Sequence, residues 1–175
     1  MSANAVSNKE LYKVDVKLCY PFIEAITNTF KVQCNLNARV GKPSFKNFTE
    51  DDKADILIIA TIATDKTMAQ VVICLPNKVF FGVMSKMLGE PIAKMTPDLE
   101  DGAKELMNIV FNQAKKPLAE KGMAAFRSIP MVIFGEGVKL RYLARGQTVL
   151  LPFDTDVGPF NVEITTQDIN ISDSV

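Results

Sequence analysis

Four polar residues, Asp101, Glu105, Asn108 and Asn112, recur at helical spacing in the stretch from residue 98 to 115. At about 100° per residue they fall within a stripe roughly 60° wide. Leu99, Ala103, Leu106, Met107, Val110, Ala114 and Leu118 gather on the opposite side. Asp101 and Glu105, one turn apart, offer the paired carboxylates that hydrolysis can use. Such a pair in a first helical turn also suits a solvated face at the positive end of the helix dipole, and spacing alone does not separate the two. The two Asn are less ordinary. Asn lowers helix propensity, whereas a plain solvent face favours Lys and Glu.

The rest of the composition narrows the chemistry. The chain has no histidine, which removes Ser-His-Asp and Cys-His nucleophile systems, His-ligated zinc and phosphohistidine relays. Cys19, Cys34 and Cys74 lack CxxC spacing, so no metal site is expected, and an odd number of cysteines without an export signal points to free thiols in the cytoplasm. No GxxxxGK[ST] or GxGxxG phosphate cradle occurs, and Gly135-Glu-Gly137 reads as a turn. The acidic run Glu50-Asp-Asp52 reads as a solvated loop. With 20 Lys and Arg against 20 Asp and Glu, no basic field invites nucleic acid. No apolar run approaches the roughly 20 residues of a membrane span. Any catalysis must run on carboxylates, amides, hydroxyls or lysines.

A chain of 175 residues, 47% hydrophobic, suits one domain with a substantial core. Residues 1–17 are polar and read as an N-terminal arm, 18–166 as the domain, and 167–175 as a polar tail. Apolar residues at helical spacing from Leu18 to Phe30 predict a helix, with Pro21 in its first turn. Alternation from Lys31 to Val40 predicts a strand. Residues 54–64 and 68–75 are β-rich runs joined by a short polar link, which predicts an antiparallel hairpin. Lys78 to Leu88 reads as a helix stopped by Gly89. Thr96 and Pro97 supply an N-cap hydroxyl and a first-position proline for the helix that carries the polar stripe. Pro117 is expected to kink or break that helix before Gly122. Ile129 to Phe134 reads as a short strand ended by Gly135, and residues 147–153 and 160–165 as two strands around a turn-rich link. The order predicts an α/β (α+β) sandwich: a mixed, largely antiparallel sheet with long helices packed on it.

The segment Asp101-Gly-Ala-Lys-Glu105-Leu-Met-Asn108 resembles the D/S-x-x-x-E-x-x-N signature of the CheC/CheX/FliY chemotaxis phosphatases, most closely the CheX type. Tyr20-Pro-Phe-Ile-Glu-Ala25 is similar to that family's opening helix, Met84-Ser-Lys-Met-Leu-Gly-Glu90 to the helix end before the motif, and Leu151-Pro-Phe-Asp-Thr155 with Gly158 to its late strand pair. Phe111 and Asn112 depart from it, standing where the family often has a Gly preceded by a small residue. Glu24 and Asn28 are four apart, not three, so a second E-x-x-N is lacking, as in the single-site CheX type.

The resemblance implies a phosphatase acting on the aspartyl phosphate of a CheY-like response-regulator receiver. Asn108 would orient the attacking water, Glu105 would pair with the receiver's active-site lysine, and Asp101 and Asn112 would support the docking face. No cofactor of its own is implied, with Mg²⁺ expected on the receiver. It also implies a homodimer, with no nucleic-acid or membrane partner. The alternative is a non-catalytic receiver-binding or motor-switch-like module.

Overall fold

The structure, a computed structural model, describes residues 18–46, 54–63, 67–123, 126–127, 129–138 and 147–168. In chain order its elements are α1 (Cys19–Cys34), β1 (Arg39–Val40), β2 (Ser44–Phe45), β3 (Ala54–Ala63), β4 (Thr67–Leu75), α2 (Asn77–Leu88), α3 (Pro97–Glu120), β5 (Phe126–Arg127), β6 (Met131–Val138), β7 (Thr148–Asp154) and β8 (Phe160–Asp168). Among the described residues the strands form one sheet in the order β1-β7-β8-β4-β3-β5, with β2 also on β7 and β6 also on β3. Every pairing in it is antiparallel. This is the expected α+β architecture with its helices layered on an antiparallel sheet.

Alternation along the strands divides the sheet between two environments. Ile56, Ile58, Ala60 and Ile62 of β3, Val71, Ile73 and Leu75 of β4, and Val162 and Ile164 of β8 join the core shared with the three helices. Leu57, Ile59 and Val72 belong to a second, smaller cluster with Ile133 and Val138 packed against it. Burial on both faces explains why β3 reads as a nearly continuous apolar run instead of a clean alternation. The hairpin expected over these residues is present, in register from Ile56↔Leu75 to Ala63↔Met68. The acidic run 50–52 and the arm expected over 1–17 lie outside the described residues, as does the tail expected over 167–175 apart from Gln167 and Asp168, which continue β8 instead.

Helix α1 is fastened to the sheet by stacked rings. Phe30 lies 4.9 Å from Phe160, and Phe160 lies 5.1 Å from Phe153, with interplanar angles of 11° and 9°. All three are buried, so the stack joins helix and strands with no polar cost. The thiol of Cys34, at the buried end of the same helix, is pushed up from 9.0 to about 11 by desolvation and is correspondingly unreactive.

Three local expectations are corrected. The strand expected over 31–40 is mostly helix and loop: α1 continues to Cys34 and ends where Asn35 turns left-handed at φ 51°. Val32 of the supposed apolar face is 64% exposed, while Cys34, Leu36 and Ala38 are buried because the chain folds back beneath the helix. Only Arg39–Val40 is extended, paired to β7. Next, Pro117 lies inside an unbroken α3 that runs to Glu120. Buried Leu118 and Ala114 hold this last turn on the core, and packing outweighs the lost backbone donor. Lastly, β6 runs through Gly135 and Gly137 to Val138, held by its ladder to β3, with a register shift between Ala54 and Ile56.

The turn between β7 and β8 packs onto α2. Its Thr155 donates its hydroxyl to the Gly158 carbonyl at 2.7 Å. Gly158 adopts φ +127°, which a side chain would strain. A Cβ at Gly82 would come within 2.9 Å of Val157, so glycine there permits the close seat of α2.

Candidate functional site

Helix α3 presents the polar stripe because its other side is fully committed. Leu99, Ala103, Leu106, Met107, Val110, Phe111, Ala114 and Leu118 are all buried. The expected apolar side is therefore correct, and Phe111 widens it. Asp101, Glu105 and Asn112 are exposed and Asn108 is half-buried at the edge of the stripe. The four expected site residues do share one face.

The start of α3 is set by Pro97 in the first turn and Thr96 at the N-cap. The cap differs from expectation, since the Thr96 side chain makes no capping bond. Its carbonyl instead accepts from Leu99 and Glu100 at 3.1 and 3.2 Å. At Gly102 a Cβ would lie 2.6 Å from the Met84 Cε, the flexible end of a side chain of α2. Further along, Asn28 of α1 donates to the Gln113 Oε1 at 2.7 Å, and Gln113 donates to the Thr29 hydroxyl at 3.1 Å. These bonds pin the middle of α3 to α1. Asn28, one turn past Glu24, thus serves as an inter-helix tie.

Charge on the stripe is distributed unevenly. Lys104 Nζ lies 2.7 Å from Glu100 and 3.4 Å from Asp101. The bond to Glu100, with a further one to Asp101, raises the ammonium's pKa. Both carboxylates are thereby paired within the helix. Glu105 has no cation within ion-pair distance among the described residues. Asp101, expected to support the docking face, stays exposed on it with the Lys104 ammonium 3.4 Å away.

Glu105 does have one neighbour. The Asn108 Nδ2 donates to its Oε2 at 3.2 Å. The other end of the same amide is unusual: Asn108 Oδ1 is buried and has no hydrogen-bond partner among the described residues. A buried acceptor left so costs about 1–3 kcal/mol, a local tension right beside the exposed carboxylate. Asn112 faces solvent one turn on and joins no described side-chain bond.

Two described depressions lie away from these groups. An open depression of about 510 Å³ at the end of α2 is lined by Ser85, Lys86, Gly89, Glu90, Pro91 and Ile92. A smaller one of about 200 Å³ lies between Ala54, Cys74 and Phe160. Neither includes a stripe residue. Among the described residues no group of three or more Cys, Asp or Glu could hold a metal ion, and no helix is long and apolar enough to cross a membrane. The stripe is a ridge, suited to entering a partner's cleft more than to enclosing a small molecule.

Sequence reasoning missed Lys104 and the Asn28–Gln113–Thr29 tie. The Glu100–Lys104 spacing of i,i+4 was visible locally. The tie joins residues 85 apart in sequence and left no local signal.

Comparison with known proteins identifies relatives of this chain. The family model for the chemotaxis phosphatase CheX matches residues 58–154, a span that includes Asp101, Glu105 and Asn108. No curated protein matches the chain. Among solved structures, a CheC-like superfamily protein from Shewanella sp. PV-4 is 26% identical with a TM-score of 0.81, covering 88% of this chain and 99% of its own. The chemotaxis protein CheX of Desulfovibrio desulfuricans is also 26% identical, at a TM-score of 0.79, covering 86% of this chain and 99% of its own. A CheX–CheY–BeF₃–Mg²⁺ complex from Borrelia burgdorferi is 20% identical at a TM-score of 0.72, covering 86% and 97%.

Proposed function

The chain belongs to the CheX family of chemotaxis proteins, and from that premise we propose that it dephosphorylates the aspartyl phosphate of a CheY-like receiver domain. The observation that carries this reading is Glu105, exposed on a ridge with no cation near it among the described residues, one turn before an amide on the same face. Lys104 pairs with the carboxylates on its N-terminal side, so Glu105 is the charge the motif leaves available to a partner. The Borrelia burgdorferi relative is captured with CheY, BeF₃ and Mg²⁺, and trifluoroberyllate on a carboxylate resembles an acyl phosphate, which lends the reading support.

An acyl phosphate is intrinsically labile, and the receiver brings both the electrophile and its Mg²⁺. The phosphatase then has to place one water in line with phosphorus. Helix α3 enters beside the phosphorylated carboxylate, and Glu105 pairs with the receiver's active-site lysine and fixes the register. An interfacial pair of this kind contributes mainly specificity and orientation. Asn108 holds the water by its amide, which donates and accepts without competing as a nucleophile. The water oxygen bonds to phosphorus, the bond from phosphorus to the receiver's carboxylate breaks, and inorganic phosphate leaves. No histidine is needed, because the leaving carboxylate requires no protonation.

The test is the rate of phosphate loss from a phosphorylated CheY-like receiver with and without this protein. Asn108→Ala should lose about 10²-fold in kcat, the scale on which misplacing a reacting group is felt. Equal rates for the wild type and Asn108→Ala would remove the mechanism, and binding without hydrolysis would favour the receiver-binding module. We further propose that the protein pairs with a second copy, along β6. That strand bonds to β3 on one side, and Met131 and Phe134 beside Ile129 are exposed apolar side chains on it. Light scattering should show a dimer that Phe134→Glu shifts to monomer; a wild-type monomer at high concentration rejects it.

A further inference from the structure

The Asn108 amide is poorly placed for the work assigned to it. An ionised carboxylate only accepts hydrogen bonds, so the end of the amide that faces Glu105 must be Nδ2. Its Oδ1 then points the other way, where it is buried and meets no partner among the described residues. A water attacking phosphorus must hand one O–H to an acceptor so that a lone pair faces the electrophile. In the free chain the acceptor on Asn108 is covered.

We propose that the Glu105–Asn108 hydrogen bond is a latch. It keeps the amide retracted in the free protein, and a partner's cation on Glu105 releases it. The inference rests on the reading above, in which Asn108 orients water, and adds that docking switches the site on. The physical basis is competition for one carboxylate. A neutral amide donor at 3.2 Å is a weaker partner for Glu105 than a lysine ammonium, whose bond is charge-assisted. Once the ammonium takes the carboxylate, little holds Nδ2. Rotation of the side chain then brings Oδ1 out of its unsatisfied position, so release is favoured from both ends. Glu105 is in this account a positioning residue as well as a docking charge. Recognition and competence become one event, and an amide in the wrong company stays folded away.

The free chain can be tested without any receiver. In a ¹⁵N-labelled full-length protein, the side-chain amide signals that vanish in Asn108→Ala identify the Asn108 Nδ2 protons. In the wild type they should carry the signature of a hydrogen-bonded amide, and in Glu105→Ala they should move to the position of a freely hydrated one. Glu105 is exposed, so the variant retains the fold. Adding a receiver activated with beryllium fluoride and Mg²⁺ to the wild type should release the same signals. Signals that are identical in the wild type and Glu105→Ala overturn the latch. Kinetics give a second readout. Because the amide is already free in Glu105→Ala, KM should rise about tenfold while kcat falls less than about threefold. A large fall in kcat at unchanged KM overturns the latch, since Glu105 would then act in the chemical step. An inactive wild type would sink the phosphatase reading alone, while the amide signals still decide the latch.

Discussion

Glu163, on β8, is only 6% exposed and holds Lys46 at 2.5 Å, on the sheet face away from the three helices. Glu105, on α3, faces solvent and among the described residues meets only a neutral amide. Both residues carry the same group, and the surroundings assign them opposite work. A carboxylate buried on a sheet must have its charge matched inside the protein, because removing it from water is costly. A carboxylate on a helix ridge keeps its hydration and costs little to leave unmatched. It can therefore be reserved for a charge that arrives later. The same contrast holds along α3, where Lys104 occupies Glu100 and Asp101 but leaves Glu105 open. Thr148 and Thr165, buried and joined at 2.7 Å beside Glu163, complete a polar layer that is internally satisfied. Asn108, whose covered oxygen has no partner among the described residues, is the opposite case.

Substitutions at the two carboxylates should separate stability from recognition. The largest effect is expected from Glu163→Ala, which breaks the buried ion pair with Lys46 and should cost about 3–5 kcal/mol in urea unfolding. Its folded fraction should still bind a receiver normally. Glu105→Lys should leave the unfolding midpoint within about 0.5 kcal/mol, as exposed substitutions do, while weakening receiver binding by about tenfold or more. Titration calorimetry at two salt concentrations checks this, because an electrostatic contribution at an exposed edge diminishes with screening. If Glu105→Lys unfolds the protein, or Glu163→Ala selectively abolishes docking, the division of labour is wrong. A smaller effect tests whether α3 is tuned for stability at all. Pro117→Ala restores a backbone donor to the last turn and should add about 1–3 kcal/mol without changing docking.

The elements legible in the chain were those whose signal is local. The β3–β4 hairpin, α2 with its Gly89 stop and the apolar side of α3 all followed from periodicity and turn residues, and each is present. The misreading at Lys31–Val40 shows how period can deceive. Residues 34, 36 and 38 are buried in alternation, but across a helix end and a reversal at Asn35 rather than along a strand. The alternation was real while its cause was tertiary. Pro117 erred in the other direction: its intrinsic cost was legible, whereas the packing of Leu118 and Ala114 that offsets it was not. The motif was legible because Glu105 and Asn108 lie one turn apart on a single helix, which places them together before any tertiary contact forms.

Helical spacing thus delivered which residues share the ridge, and the side chains themselves delivered what chemistry is open to them. A chain without histidine leaves carboxylates, amides, hydroxyls and lysines to do the work, in any fold. Which of those groups is free required the three-dimensional packing. Lys46 reaches Glu163 across 117 residues, and Gln113 reaches Asn28 across 85. Pairings of that range depend on strand order and helix docking and leave no periodic trace. Burial of the Asn108 oxygen has the same origin: spacing gives the direction of a side chain around its helix, and the neighbours that cover it come only from the fold.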